Sequence, residues 1–539
     1  MNESKIKRNV LLLIIVTSII RIVVASYTGL GPGEAYYFKG ALLPNWSYFD
    51  QPPLFFWLST VTVKLFGVSA LALRLPAILC FAGVIWLLYV ITKHLFSAKA
   101  GWYAVLLLNC SFVFTIPVAA WFQPDAPLMF FWLLTCYFLV RLFFKASTEG
   151  DQTASIPTQS AKEIYILWVL TGIALGLATL SKYHSALLLA GVLIFCAVHK
   201  EYRYWFRHPG PYLAVVLCII VSLPIFIWNA ENNWVSFVFQ GSRAGSDEGF
   251  ALYPQFFLRS ILGQSLWLAP WIWIPLLVVF IKAFKNIHTE KKQFFIAAIA
   301  ILPIFIFTIV TLWRDTLFHF HWQAPGYLML FILLGHRTAT RFATGGKLQQ
   351  KVVIWLRFSA ISAVVVLGIL LIHTETAFLL KGFKNLSKQT KIKMKDPTVR
   401  GTDYDQIKDL FEEKGWINDD QLFIGSTRWW QAGKIDWALE GKYPMIIFSR
   451  DPRNHAYFVD PQKLIGRDAI ILAHSYENTV DYYVKPFFES IERLEDLPIV
   501  RKDIRELSIY IYYCKNFQIP EENAPEIPLL KQLNGEPPF

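Results

Sequence analysis

Charge is scarce in this chain. Only 17% of its 539 residues are charged, against 55% hydrophobic and 16% aromatic, with a mean hydropathy of +0.41. That balance excludes an ordinary soluble globular protein and fits a polytopic membrane protein. Cysteine is scarce too: Cys80, Cys110, Cys136, Cys196 and Cys218 lie in apolar segments, and Cys514 is alone in the polar tail. One cysteine cannot form a disulfide within the tail, so cysteine usage does not report the redox compartment. No GxGxxG or Walker motif occurs in the strand–turn–helix context that would make it a nucleotide site, and no internal repeat is evident. No small-residue cleavage site follows the first apolar run behind Asn2 to Arg8, which predicts a retained signal-anchor helix. The formal net charge of +12 does not indicate nucleic acid, because the basic residues sit between hydrophobic segments and not on one recognition surface. Anionic lipid is the better-matched partner.

What is present is a series of apolar runs. Eleven are long enough to span a bilayer, at 9–28, 72–93, 100–119, 126–145, 164–181, 184–199, 211–229, 263–282, 294–313, 319–336 and 352–374. Leu54 to Phe66 is apolar but short and carries Lys64 near its end, which predicts an interfacial helix. With the N-terminus in the cytoplasm, every inside loop is basic: Lys93 and Lys99; Arg141, Lys145 and Lys162; Lys200, Arg203 and Arg207; Lys282, Lys285, Lys291 and Lys292; Arg337, Arg341, Lys347 and Lys351. Counting 54–66 as a span would put most of these outside. The lysines from Lys381 to Lys395 run against the rule, but long translocated domains largely escape it.

Residues 1–380 therefore read as a transmembrane domain and 381–539 as an extracytoplasmic C-terminal domain. In the latter, Ala469-Ile470-Ile471-Leu472 and Leu507 to Tyr512 read as strands and Tyr404 to Lys414 as a helix, the pattern of a small α/β domain. Ser147 to Ser160 reads as a polar cytoplasmic loop.

Sorted by side, the unusual polar residues gather on the outside. Glu34 and Asp50 lie in the first outer loop, Asp125 in the second and Lys182 with Tyr183 and His184 in the third. Trp228, Asn229, Trp234 and Arg243 occupy the fourth, and Arg314, Asp315, His319 and His321 the fifth. Ionisable groups at helix mouths are costly unless paired or hydrated, so their coincidence suggests one shared polar cavity. Each also has a plain structural reading: Asp125 as a helix N-cap, Lys182 as a snorkelling lysine, the histidines beside Trp322 as interfacial packing. Arg21, inside the first span, calls for a buried acid or a lipid phosphate as partner.

At these residues the chain resembles the C-type glycosyltransferases that use polyprenyl-phosphate sugars, in the bacterial branch related to protein O-mannosyltransferases and the lipid A aminoarabinose transferase. The resemblance rests on Glu34-Ala35-Tyr36-Tyr37, Tyr48-Phe49-Asp50-Gln51-Pro52-Pro53-Leu54, Pro124-Asp125-Ala126-Pro127-Leu128, Gly176-Leu177 through Leu180-Ser181-Lys182-Tyr183, Trp228-Asn229 with Trp234-Val235-Ser236-Phe237, and His321-Trp322 with Ala324-Pro325. These pieces keep the family order over about 9–335; the tail matches only vaguely. One departure matters: Gly33 stands where the family carries an aspartate taken as the catalytic carboxylate, and Gln51 where it often has histidine.

The resemblance implies a polytopic α-helical membrane protein of about eleven spans with the C-type glycosyltransferase fold and a C-terminal α/β extracytoplasmic domain, lodged in the inner (plasma) membrane. It implies an inverting transfer of a sugar from a polyprenyl phosphate, undecaprenyl phosphate in a bacterium, to an extracytoplasmic lipid, glycan or protein acceptor. Glu34 then ranks first as base, Asp125 second and Asp50 third. Lys182, Arg243 and Arg314 are candidates for the donor phosphate, and Tyr36, Tyr37, Tyr183, Trp228, Asn229 and Trp234 for substrate contact. A divalent metal held by His319 and His321 with Glu34 and Asp125 is optional to this reading, and it calls for no other cofactor. Two other classes compete. A lipid-linked sugar transporter should show polar residues at the bilayer midplane, whereas apart from Arg21 the spans are nearly free of charge. A catalytically inactive scaffold finds its support in Gly33.

Overall fold

The computed structural model describes residues 2–146, 159–243, 251–313, 319, 321–380, 398, 401–474, 477–501, 504–520 and 524–539. Arg314, Asp315, the lysines from Lys381 to Lys395, nearly all of the 147–160 loop and the residues just past the 380–381 boundary lie outside them.

The N-terminal part is a helical bundle. In chain order its helices are α1 (Glu3–Tyr27), α2 (Pro32–Leu42), α3 (Leu54–Phe66), α4 (Ala70–Leu95), α5 (Ala98–Asn109), two single turns α6 (Phe112–Thr115) and α7 (Pro117–Ala120), α8 (Asp125–Phe143), α9 (Ala161–Ser181), α10 (Ala186–Val198), α11 (Pro209–Glu231), α12 (Val235–Ser242), α13 (Pro254–Leu268), α14 (Pro270–Lys285), α15 (Lys291–Ile309), α16 (Ala324–Ala343) and α17 (Gly346–Thr376). Several starts are written in the sequence: the side chains of Asn2, Ser69, Ser97 and Ser160 each accept a backbone N–H from the first turn of α1, α4, α5 and α9.

Each predicted run falls on a helix. Among the described residues, seven helices are long and apolar enough to cross a membrane, and nine if the two bent pairs, α5 with α6–α7 and α13 with α14, each count as one span. The other two predicted runs fall on the short apolar segment Tyr183–Val198 and on α16, so a count of eleven does not follow from length and composition alone. α3 has 13 residues, about 20 Å at the helical rise and short of a hydrocarbon core. The faces that α1, α11 and α17 turn outward are apolar, with Leu12, Ile15, Ile220, Ile361 and Val364 exposed as lipid-facing side chains are. α16 is the opposite case, buried from Ala324 to Gly335 at the centre of the bundle.

Arg21 corrects one expectation. Its partners are neutral oxygens: Nε donates to Thr115 O at 2.9 Å and Nη2 to Asn109 Oδ1 at 2.8 Å, with Phe81 beneath the guanidinium at 4.8 Å. The broken turn between α5 and α8 leaves carbonyls without helical partners, and these take Nε and Nη2 where an acid was expected, while Nη1 stays buried without a partner among the described residues.

The C-terminal part is an α/β unit with strands β1 (Leu422–Ser426), β2 (Met445–Ile447), β3 (Asp468–His474), β4 (Phe488–Arg501) and β5 (Ile504–Phe517) in the order β2-β1-β3-β5-β4. β1 pairs parallel with β2 and β3, in register Ile424 with Met445 and Ile470; β5 returns antiparallel to β3 and β4. Ile407, Leu410, Ile435 and Ile470 make the core on one face, and Phe423, Phe448, Phe487 and Phe517 the core on the other. The Trp429–Ala438 helix lies directly on α2. A Cβ on Gly433 would stand 2.4 Å from Tyr36 N, so only glycine permits this approach. Lys39 locks the contact, its buried ammonium donating to Gly441 O at 2.8 Å and Tyr443 O at 2.9 Å, with Asp436 Oδ1 at 3.4 Å. The α/β unit is thus seated on the loop that carries Glu34 and Asp50.

Candidate active site

Glu34 is the third residue of α2, and its carboxylate is fully engaged. Oε2 accepts the Gly31 N–H at 2.9 Å as half of a capping box, and Oε1 accepts the Phe122 N–H at 2.8 Å. Arg74 from α4 closes the rest with a two-pronged grip, Nε to Oε1 at 2.8 Å and Nη2 to Oε2 at 2.7 Å, and spends its remaining donors on the carbonyls of Ala25, Thr28 and Gly29. Burial alone would raise this carboxyl, but Arg74 and the two backbone donors hold it below the usual range.

Asp50 is placed differently. It is 4% exposed, and its Oδ1 is buried without a hydrogen-bond partner. Burial pushes its pKa up to about 6, against the opposing pull of Arg453, Arg243 and the Tyr36 hydroxyl. Gln240 Nε2 fixes the backbone by donating to Asp50 O at 2.7 Å. The tail contributes to this setting: the Asn454 N–H donates to the Tyr36 hydroxyl at 3.1 Å and its Oδ1 accepts the Phe49 N–H at 3.0 Å.

Asp125 opens α8 and pairs with Lys182 at the end of α9, Nζ to Oδ1 at 3.0 Å, both buried, with Oδ2 unpartnered. Lys182, Arg243, His184 and His319 all lie within electrostatic range of His321. His319 stacks on Trp322 with ring centres 4.6 Å apart, and the Arg243 guanidinium lies 5.0 Å from Trp322 and 5.6 Å from Phe239.

The aromatic candidates divide. Tyr36 is buried between Tyr37, Trp429 and His455. Tyr37 accepts from Gln51 Nε2 at 3.2 Å, and Tyr183 lies beside Ser47, Asn229 and Ser236. Trp228 is buried against Tyr457. Asn229 builds the α11–α12 corner, donating to Ile225 O at 2.9 Å and accepting from Ser236 N at 3.1 Å. Trp234, at φ 58°, is half exposed at the head of α12.

The family described as Dolichyl-phosphate-mannose-protein mannosyltransferase matches residues 50–150 and 158–228. The undecaprenyl phosphate-alpha-4-amino-4-deoxy-L-arabinose arabinosyl transferase 2 of Pseudomonas fluorescens is 24% identical over 307 residues, 55% of this chain and 51% of the relative. The chain spans about half the length of the curated relatives it matches. In three dimensions the likeness runs the whole length: ArnT from Cupriavidus metallidurans, solved bound to undecaprenyl phosphate, superposes with a TM-score of 0.61 at 15% identity over 93% of this chain and 97% of that one. The archaeal oligosaccharyltransferase AglB from Archaeoglobus fulgidus follows with a TM-score of 0.51 at 12% identity, over 98% of this chain and 77% of that one. The chain has the C-type glycosyltransferase fold.

Within that C-type fold, the residues do not fit the optional divalent metal. Among the described residues no group of three or more His, Cys, Asp or Glu side chains is placed to hold a metal ion. The two carboxylates meant to join His319 and His321 are already neutralised, Glu34 by Arg74 and Asp125 by Lys182. Gly33 faces open space, with nothing within 4 Å of where a Cβ would stand, so an aspartate fits there without moving the backbone. Arg74 is not among the expected site residues, although a charge inside the 72–93 run needs a buried partner. Arg453 and Asn454 carried no such signal, because Asn454 reaches Tyr36 and Phe49 across more than 400 residues of chain.

Proposed function

We propose that the protein is an inverting glycosyltransferase that moves a hexose, pentose or amino sugar from a polyprenyl-phosphate donor, undecaprenyl phosphate in a bacterium, to an extracytoplasmic acceptor such as lipid A, a glycan or a protein. The observation that carries this reading is Asp50: a buried carboxylate with one unpartnered oxygen, within electrostatic range of two guanidinium groups, in a fold shared with a transferase solved on undecaprenyl phosphate. The basic loops support a cytoplasmic N-terminus, with the site and the C-terminal domain on the outer side.

In this reading Asp50, not Glu34, takes the proton. A general base needs an open lone pair and a pKa near the working pH, and Glu34 has neither. The acceptor hydroxyl loses its proton to Asp50 as its oxygen bonds to the anomeric carbon. The bond from that carbon to the phosphate oxygen breaks on the opposite face, and polyprenyl phosphate leaves with one more negative charge. Arg243 meets that growing charge, and Arg314 stays a second candidate for it. Lys182 is committed to Asp125, and the pair ties α8 to the end of α9. Tyr36 orients Asp50, while Tyr37, Tyr183, Trp228 and Trp234 are the candidates for sugar and lipid contact.

The test is mass spectrometry of envelope lipids and glycans from deletion cells and from cells complemented with wild type or Asp50→Asn. Loss of one sugar mass from one class, restored only by wild type, is the expected result. An unchanged envelope with no accumulating polyprenyl-phosphate sugar would overturn it in favour of an inactive scaffold.

A further inference from the structure

Two arginines from separate parts of the chain are stacked into one wall. The Arg453 guanidinium lies 3.9 Å from the Trp429 ring and 5.6 Å from Phe239; on the same Phe239, 5.6 Å away, lies Arg243, which in turn is 5.0 Å from Trp322. Trp429 and Arg453 belong to the C-terminal unit, Phe239 and Arg243 to α12 and its C-cap, and Trp322 to the segment leading into α16. Aromatic and cation alternate along the row, so each guanidinium is held beside two aromatic rings. Both act on Asp50.

Arg453 has features that packing alone does not require. Its backbone is in the left-handed region at φ 50°, unusual for a residue with a side chain and a frequent mark of functional loops. Its Nε donates to Asp451, 3.1 Å from Oδ2, while neither Nη atom has a hydrogen-bond partner among the described residues. The side chain is 24% exposed, open enough to meet a ligand. Its neighbour Asn454 is tied to Tyr36 and Phe49, so the loop is held in register with Asp50. The other buried cations nearby are committed: Lys182 to Asp125, Arg74 to Glu34, Lys39 to Asp436 and two carbonyls.

We propose that Arg453 is a phosphate-binding residue, supplied by the C-terminal domain, which with Arg243 forms a two-guanidinium clamp on the donor phosphate across from Asp50. The inference rests on the donor class proposed above. Two cations suit a phosphate that becomes dianionic as the sugar leaves, and in-plane N–H pairs suit its oxygens. It also gives the C-terminal domain a chemical role: seated on α2, it completes the site.

The test uses the full-length protein in nanodiscs, with undecaprenyl phosphate and inorganic phosphate as separate probes and binding read from tryptophan fluorescence, since Trp429 and Trp322 flank the clamp. A charge-assisted pair of hydrogen bonds corresponds to roughly a 10- to 100-fold loss of undecaprenyl phosphate affinity in Arg453→Ala. Arg453→Lys, which keeps charge and stem but not the fork, should lose about 10-fold, and it serves if Arg453→Ala lowers the melting temperature. Arg203→Ala, in the exposed turn after α10, should bind as wild type. Inorganic phosphate should compete with the lipid in wild type and not in Arg453→Ala. Wild-type binding with unchanged affinity in both Arg453 variants would overturn the clamp and leave the donor class standing. Loss of inorganic phosphate binding alone would assign Arg453 to a soluble anion and likewise overturn it. Failure of wild type to bind either probe would overturn both readings.

Discussion

Arg74 holds Glu34 with both prongs of its guanidinium, 2.8 Å from Oε1 and 2.7 Å from Oε2, and the two side chains are 1% and 3% exposed. Such a pair makes Glu34 a structural keystone of the first outer loop. Removing one member of a buried pair leaves an uncompensated charge and costs about 3–5 kcal/mol. Glu34→Gln should therefore lower the melting temperature of the purified protein sharply, and Glu34→Gln with Arg74→Met should recover part of the loss. A Glu34→Gln protein that melts like wild type but is inactive would return the catalytic role to Glu34.

Asp50→Asn should do the reverse, abolishing turnover and leaving the fold intact. The pH dependence follows from the carboxyl being raised from 3.8 to about 6 by burial. The folded protein binds this proton more tightly than the unfolded chain, so the group favours the fold fully below about pH 4 and loses that contribution as pH climbs through 6. Above pH 6 Asp50→Asn should melt at or above wild type. Turnover in wild type should rise with pH to a midpoint near 6, the form a base requires. A rate that falls over that range would contradict the assignment.

The membrane architecture was legible in the sequence because lipid enforces it: every predicted apolar run lies on a helix, and the short Leu54 to Phe66 run is the short helix α3. The strands expected at Ala469–Leu472 and Leu507–Tyr512 are β3 and β5. Lys182, Arg243, His184 and His319 come within electrostatic range of His321, joining loops that topology assigns to one side. Pairing was not legible. Whether Glu34, Asp50 or Asp125 keeps an open oxygen depends on where Arg74, Arg453 and Lys182 come to rest, and those contacts join residues 40, 403 and 57 positions apart. The span count stays ambiguous because α5 and α13 each break within one apolar run, bending by 93° and 108°.

Lys182 and Asp125 should show strong coupling. Each single change, Lys182→Met or Asp125→Asn, strands a buried partner, whereas the double change strands neither. A double-mutant cycle on thermal stability should give an interaction of about 2 kcal/mol or more. Additive effects would mean that Lys182 reaches the site independently of Asp125.

Gly433 tests the seating of the C-terminal unit. A Cβ there would lie 2.4 Å from Tyr36 N and 2.5 Å from Tyr36 Cα, both backbone atoms that cannot swing aside. Gly433→Val should lift the Trp429–Ala438 helix from α2, split the thermal transition and remove activity. A single wild-type transition with normal turnover would show that the contact is dispensable.

The most direct measurement is transfer itself. The reconstituted protein is given a panel of short-chain polyprenyl-phosphate sugars and an extract of envelope acceptors, and the released polyprenyl phosphate and the anomeric configuration of the product are read together. Transfer of one sugar with inverted configuration, matched by an equal release of polyprenyl phosphate and absent in Asp50→Asn, is the predicted result. Retained configuration, or Asp50→Asn turning over at the wild-type rate, would contradict it.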